Sequence, residues 1–351
     1  MRNKILIYGA NGYTGKLITK EAKAKGIKVE LAGRNEAAIK ALANENDYPY
    51  HIIELNETNK LEHLTKDFNT VIHCAGPFSE TAIPMVEACI KSKTNYLDIT
   101  GEIWVFEDIM KYHEQAQKAG IALIPGVGFD VVPTDCLAGY LKKKLPSGTS
   151  LELAFVGSKT GMSRGTAVTM AKNISKGGFI RENGKIKNVP LAYKIKEFKF
   201  SHRNQWCMTI PWGDLMTSYH QTQIPNIKVF SGASLKMINK IKKYRNLKFL
   251  LGIGWIQKLV RRKIENSVTG PNEENLKTGK TYVLGEIRDE AGSSFKAELI
   301  TPEAYFLTAK TALSSALKLE NSNKTGYLTP SQAFGIDFIM EFENVERIDW
   351  A

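Results

Sequence analysis

Cysteine is scarce in this chain, with four in 351 residues. Cys74, Cys89, Cys136 and Cys207 lie far apart and form no C-x-x-C pair. Their spacing argues against a zinc site and a disulfide framework, and suits a reducing compartment. No clustered metal ligands and no serine, histidine and acid set can be composed from the sequence. Long hydrophobic runs are missing too: the first apolar stretch, Ile5–Tyr8, is far too short for a signal peptide or a membrane span. A cytoplasmic protein is expected. There is no internal repeat and no low-complexity tract. Acidic residues trail basic ones, 36 against 48, for a net charge of +12. Such an excess speaks to steering and solubility before it speaks to nucleic acid, and no nucleic-acid partner is expected.

What is present is organised around Lys4–Gly15, KILIYGANGYTG. The continuous apolar run Ile5–Tyr8 has the pattern of a parallel strand covered on both faces. Gly9, Gly12 and Gly15 follow, and then a helical stretch from about Tyr13 to Lys25. The first glycine allows a tight turn, the second lets the backbone approach a pyrophosphate, and the third lets helix pack closely on strand. Amides near Tyr13 and Thr14, with Asn11 in the same loop, then face phosphate charge. The spacing is G-x-x-G-x-x-G rather than G-x-G-x-x-G, but the strand before it and the helix after it give the context of a dinucleotide loop. The second strand, Lys28–Ala32, ends in Gly33, Arg34 and Asn35. Arg34 stands where NADP-binding folds place an arginine for the 2′-phosphate. Glu30 is the rival that would favour NAD, yet it sits in mid-strand, short of the ligand edge. NADP is therefore expected over NAD.

Strand and helix alternate onward. Helical spacing over Glu36–Asn46 leads to a strand at His51–Leu55, and a helix near Lys60–Lys66 leads to a strand at Thr70–Cys74. The turn Ala75, Gly76, Pro77 should lie beside the glycine loop at the carboxyl edge of the sheet. A helix over Thr81–Lys91, a strand at Asn95–Ile99, a helix over Val105–Lys118 and a strand at Ile121–Ile124 complete this part. The loop Pro125–Pro133 is its exit. Beyond it come a strand at Leu151–Val156, a helix over Gly165–Lys176 and a hairpin in Gly178–Val189 whose Asn183-Gly184 pair suits a type I′ turn. Strands at Gln205–Ile210, Met216–Thr222 and Asn226–Phe230, and a hairpin of Thr281–Arg288 with Ser294–Ile300, make a mixed sheet.

Several separated blocks resemble the saccharopine dehydrogenase-like oxidoreductases, in the branch that includes trans-acting enoyl reductases. They are Gly9–Gly15, Leu31–Asn35, Cys74–Phe78, Tyr96–Glu102 and Gly128–Asp135, with Pro302–Leu313 and Gly326–Gly335 near the other end. His73 and Arg164 depart from the branch, which often has asparagine and glycine there. The resemblance implies an α/β fold: an N-terminal Rossmann doubly wound parallel sheet, a second α+β mixed-sheet domain, and a C-terminal segment returning to the first. The boundaries expected are 1–135, 136–302 and 303–351. It also implies an NADP-dependent oxidoreductase transferring hydride to a carbonyl, imine or activated double bond. The alternative is a non-catalytic NADP-binding sensor or scaffold, at a lipid surface or away from one.

Hydride transfer to a carbonyl or imine needs a proton donor within hydrogen-bond reach. Asp130 and Asp98 are the candidates, with Glu102 and Asp135 nearby; Asp135 is also well placed in the first turn of a helix. His73 and Tyr96 lie on strands covered on both faces, where such side chains usually pack. Arg164 could bind a substrate carboxylate or phosphate. Between Lys236 and Lys263 there are ten basic residues and no acidic one. Two readings fit that segment: helices capping the second domain, or an element meeting anionic lipid or an acyl substrate. The partners expected are a small-molecule substrate, acyl or lipid-like, a peripheral membrane contact through 236–263, and a second copy of the chain.

Overall fold

The computed structural model describes residues 4–158, 161–246 and 254–350. These fall into two compact units, Met1–Val132 with Tyr305–Gly335, and Pro133–Ala304 with Ile336–Ala351.

The first unit alternates strand and helix: β1 (Ile5–Tyr8), α1 (Tyr13–Ala24), β2 (Val29–Gly33), α2 (Glu36–Asn46), β3 (Tyr50–Ile52) and α3 (Thr58–Thr65). It continues with β4 (Thr70–His73), α4 (Phe78–Ser92), β5 (Asn95–Asp98), α5 (Ile103–Met110), α6 (His113–Ala119) and β6 (Ala122–Ile124). Every residue of β1, β4 and β6 is buried, which is why those strands read as unbroken apolar or neutral runs. The strands pair in parallel in the order β3-β2-β1-β4-β5-β6. The direction of winding reverses between β1 and β4, so a ligand crevice is expected outside their carboxyl ends. Tyr8 pairs there with Ala32 on one side and His73 on the other.

One helix expected over Val105–Lys118 is two. The chain turns between α5 and α6, where the Tyr112 amide bonds back to Ile109 O and its hydroxyl donates to Glu87 at 2.8 Å.

The second unit opens with α7 (Val132–Lys144), β7 (Ser150–Gly157), α8 (Arg164–Ile174), β8 (Gly178–Glu182), β9 (Lys185–Val189), β10 (Ile195–Lys199) and β11 (Asn204–Thr209). Then come α9 (Asp214–Thr222), β12 (Asn226–Gly232), α10 (Leu235–Tyr244), α11 (Gly254–Ser267), α12 (Glu273–Thr278), β13 (Lys280–Arg288) and β14 (Ser294–Pro302). Its mixed sheet runs β10-β11-β12-β7-β13-β14, with the β8–β9 hairpin joined through β12. Only β12 and β7 pair in parallel in this set. Asn183 and Gly184 both take positive φ, 50° and 76°, as a type I′ turn requires. Helix α7 lies close on the sheet at Gly285, where a Cβ would come within 2.5 Å of Leu141 Cδ1.

Met216–Thr222, expected as a strand, is the body of α9. Its buried positions include Asp214, Ser218 and Thr222, a helical i, i+4, i+8 row that is polar. Hydrophobic periodicity cannot show a stripe made of polar residues. Strand β10 was not expected; Phe198 is its single buried position.

The last stretch is α13 (Ala304–Leu319), β15 (Gly326–Tyr327), α14 (Pro330–Phe334), a 3-10 turn at Phe338–Glu341 and β16 (Glu346–Trp350). It does not return to the first unit as a whole. Strand β15 adds in parallel to β6, extending the first sheet, whereas β16 pairs antiparallel with β14 in the second. Backbone pairing to two different edges divides the segment that the sequence places together.

Candidate functional site

The glycine loop is built by close approach of backbone. Gly9 has φ +77°, and a Cβ on it would sit 2.7 Å from Ala75 N, so the loop after β1 lies directly against the turn after β4. A Cβ on Gly15 would lie 2.6 Å from Gly9 O and 2.7 Å from Ala10 Cα. The loop folds on itself through Gly12 N donating to Gly9 O at 3.0 Å. Gly12 is the N-cap of α1; no side chain caps this end and no acidic residue occupies the first turn. The positive end of the helix dipole, with the amides of Thr14 and Gly15, thus suits an anion at this loop. This glycine cradle fits the pyrophosphate of a dinucleotide.

The neighbouring turn is held by Thr81, whose hydroxyl bonds Ala75 O at 2.6 Å and so fixes Ala75, Gly76 and Pro77 beside the loop. Tyr13 meets Tyr305 edge-on, with ring centroids 5.1 Å apart. Tyr305 comes from α13, far along the chain; it lies in the Pro302–Leu313 block but was not singled out as a site residue.

At the end of β2, Gly33 is in close reach of the Asn11 side chain, whose Oδ1 would be 3.2 Å from a Cβ there. Arg34 is exposed beyond it. Its rival is occupied: Glu30 accepts from Lys4 Nζ at 3.0 Å and contacts His51 Nε2 at 2.7 Å. Burial works to raise the Glu30 pKa, but the hydrogen bonds from His51 and Lys4 outweigh it and hold the carboxylate below its ordinary range. Asn35, which the sequence groups with the cofactor residues, also caps a helix. Its Oδ1 accepts from Ala38 N at 3.0 Å as the N-cap of α2.

The acidic candidates separate by environment. Asp98 is fully buried at the end of β5. Its Oδ1 accepts from the amides of Thr100 and Gly126, both at 2.9 Å, and its Oδ2 from Tyr96 Oη at 2.7 Å. Burial raises its pKa to about 6, against the pull of those hydrogen bonds. With both oxygens engaged, Asp98 ties the exits of β5 and β6 together. Glu102 likewise accepts from Phe78 N at 2.9 Å and orders the start of α4. Asp135 is buried in the first turn of α7.

Asp130 is half-buried in the glycine-rich loop after β6, with its carboxylate against Gly101, where a Cβ would meet Oδ2 at 3.0 Å. Burial pushes its pKa up to about 7. The loop that carries it is pinned from α13: Phe129 N donates to Thr308 Oγ1 at 2.9 Å, and Thr311 Oγ1 donates to Val127 O at 2.7 Å. Sequence reasoning did not single out these threonines, which look like ordinary helix residues.

His73 is a packed strand residue. Thr81 Oγ1 is 3.1 Å from its Nε2, and the rings of Tyr8, Phe78 and Tyr96 surround it. Burial lowers its pKa to about 3, so the ring is neutral at physiological pH. In the second unit, Arg164 follows the Ser163 cap of α8 and donates through Nε to Val268 O at 2.8 Å.

Residues 5–124 match the family model described as "Saccharopine dehydrogenase NADP binding domain". The match covers about the N-terminal third of the chain, and its description agrees with Arg34 standing at the end of β2. Among curated proteins, a trans-acting enoyl reductase of Mycobacterium ulcerans is 28% identical over 159 residues, 43% of this chain and 38% of the relative. Another trans-acting enoyl reductase, from Mycobacterium bovis, is 32% identical over 139 residues, 37% of this chain and 33% of the relative. A saccharopine dehydrogenase-like oxidoreductase of Bos taurus is 27% identical over 161 residues, 40% of this chain and 38% of the relative. The matched region thus spans well under half the length of each of these relatives. Among solved structures, apo saccharopine dehydrogenase (L-Glu forming) from Saccharomyces cerevisiae superposes with a TM-score of 0.68 at 13% identity. That match covers 99% of this chain and 100% of the yeast chain. The two share a fold.

Proposed function

We propose, from an NADP-binding domain of the saccharopine dehydrogenase type as premise, that the chain is an NADP-dependent oxidoreductase acting on a carbonyl, imine or activated double bond. The observation that carries the cofactor half is the pairing of an uncapped glycine cradle with Arg34, while Glu30 is held by Lys4 and His51. When bound, NADPH supplies a hydride. Amides of Thr14 and Gly15 would hold the pyrophosphate, and the Arg34 guanidinium would take the 2′-phosphate and the adenine face. Ala75, Gly76 and Pro77 give the ligand close access to backbone. Asp130, whose pKa burial raises to about 7, would donate a proton as the substrate gains its hydride. Asp98 acts as a positioning residue for the loop that bears Asp130. The relatives named enoyl reductases support an activated double bond on an acyl substrate as the first class to screen.

The test is calorimetric titration with NADPH and NADH, on the chain and on Arg34→Ala. A charge-assisted bond to phosphate contributes about 1.5–3 kcal/mol, so NADPH affinity should fall roughly 10- to 100-fold. NADH affinity should barely change. Equal loss for both would refute the assignment of the 2′-phosphate to Arg34. Firm NADPH binding with no oxidation by enoyl thioesters, ketones or imines would instead favour the non-catalytic sensor.

A further inference from the structure

The surface of α11 carries a feature that the oxidoreductase reading leaves unused. At 3.6 residues per turn, Ile256, Val260 and Ile264 fall on one side of the helix, and all three are partly covered. Trp255, Leu259 and Arg262 succeed one another on the opposite side. Trp255 is 64% exposed and Leu259 56%. Lys258 and Lys263, both exposed, flank this outward row. On α10, Ile238 is buried while Met237 and Tyr244 are about half exposed, beside exposed Lys236, Lys240 and Lys243. Large side chains left in water with cations on their flanks are not what a helix that merely caps a sheet needs. Residues 247–253, which the sequence reading also included, lie outside the described residues.

We infer that the outward face of α11, assisted by α10, docks on an anionic lipid surface. The chemistry favours that occupant over two others. A second copy docking by the same face would bring lysine and arginine against lysine and arginine, with no acidic residue between 236 and 263 to answer them. A polyanion such as nucleic acid would use the cations but leave Trp255 and Leu259 without apolar contact. A lipid interface takes both: the indole and the leucine enter the boundary with the acyl chains, and the long cationic side chains reach the headgroups. No described helix is long and apolar enough to cross a membrane, so the contact is peripheral.

Flotation of the full chain with phosphatidylglycerol-containing vesicles and with pure phosphatidylcholine vesicles tests this. Binding should require the anionic lipid and weaken steeply with salt. Lys258→Gln with Arg262→Gln should weaken binding by roughly 30-fold, at about one cation's surface attraction each. Trp255→Ala with Leu259→Ala should weaken it by about 100-fold through lost apolar burial. Far-UV circular dichroism and NADPH titration without vesicles, unchanged in both variants, would show that the fold and the cofactor site are intact. That titration also keeps a failure here distinct from a failure of the oxidoreductase reading. No flotation, equal flotation on neutral lipid, or variants that float like the parent would overturn the inference. So would concentration-dependent self-association that disappears in Trp255→Ala with Leu259→Ala, because the face would then belong to a second copy.

Discussion

Asp130→Asn replaces a buried carboxyl by a neutral group of nearly the same shape, and its effect on stability depends on pH in a direction the structure dictates. The folded pKa is raised from 3.8 to about 7 by burial. The folded state therefore binds the proton more tightly than the unfolded chain does. Stability from this group is fully present below about pH 4 and is lost progressively as pH rises through 7. A shift of about 3 units corresponds to roughly 4 kcal/mol at full effect. Asp130 is half-buried rather than sealed, and solvent screening reduces the expected cost to about 2 kcal/mol. Asparagine carries no such charge, so the variant and the parent should be close in stability at pH 4 and diverge toward pH 8. There the variant should unfold about 4–8 °C higher. Differential scanning calorimetry across that range, plotted as variant minus parent, removes the contributions of Asp98 and other groups common to both. A difference that stays flat from pH 4 to 8 would mean that Asp130 ionises as an ordinary carboxyl, and the proton-donor role would fall with it. In an active preparation the same substitution should abolish the fall in rate that deprotonation causes above about pH 7.

Gly9→Ala should cost several-fold or more in NADPH affinity and lower the melting temperature, since the new methyl would lie 2.7 Å from Ala75 N at a positive φ; calorimetric titration and a thermal scan read the two effects. Asn35→Ala should cost about 1 kcal/mol of stability through the lost α2 cap and leave the NADPH to NADH preference where it was. A changed preference would mean that Asn35 meets the cofactor as well as capping α2.

The alternation of strand and helix through the first unit was legible because its central strands, β1 and β4, are short buried runs and most of its helices show their buried side at helical spacing. The glycine spacing and Arg34 were legible for a different reason. Close backbone approach tolerates few residue types, so the loop is written in its glycines, and Arg34 is the cation at the end of the next strand. Where the buried stripe is polar, as in Asp214, Ser218 and Thr222 of α9, the pattern vanished and a helix passed for a strand. Asn35 is of a type that serves both ligands and helix caps, and its cap, the 3.0 Å bond from Ala38 N, was not legible in the sequence.

The sequence by itself marked the kind of domain at the N-terminus, the glycine loop proposed to meet the phosphates and Arg34, the cation proposed to select among cofactors, all of which depend on residues close together in the chain. Tertiary structure alone decided that Glu30 is engaged, that Asp98 is tied by three hydrogen bonds while Asp130 lies half-buried, and that Tyr305, Thr308 and Thr311 support the site from α13. It also decided that the last residues are shared between two sheets. Desolvation and long-range pairing depend on neighbours brought in from distant parts of the chain, and no local pattern records them.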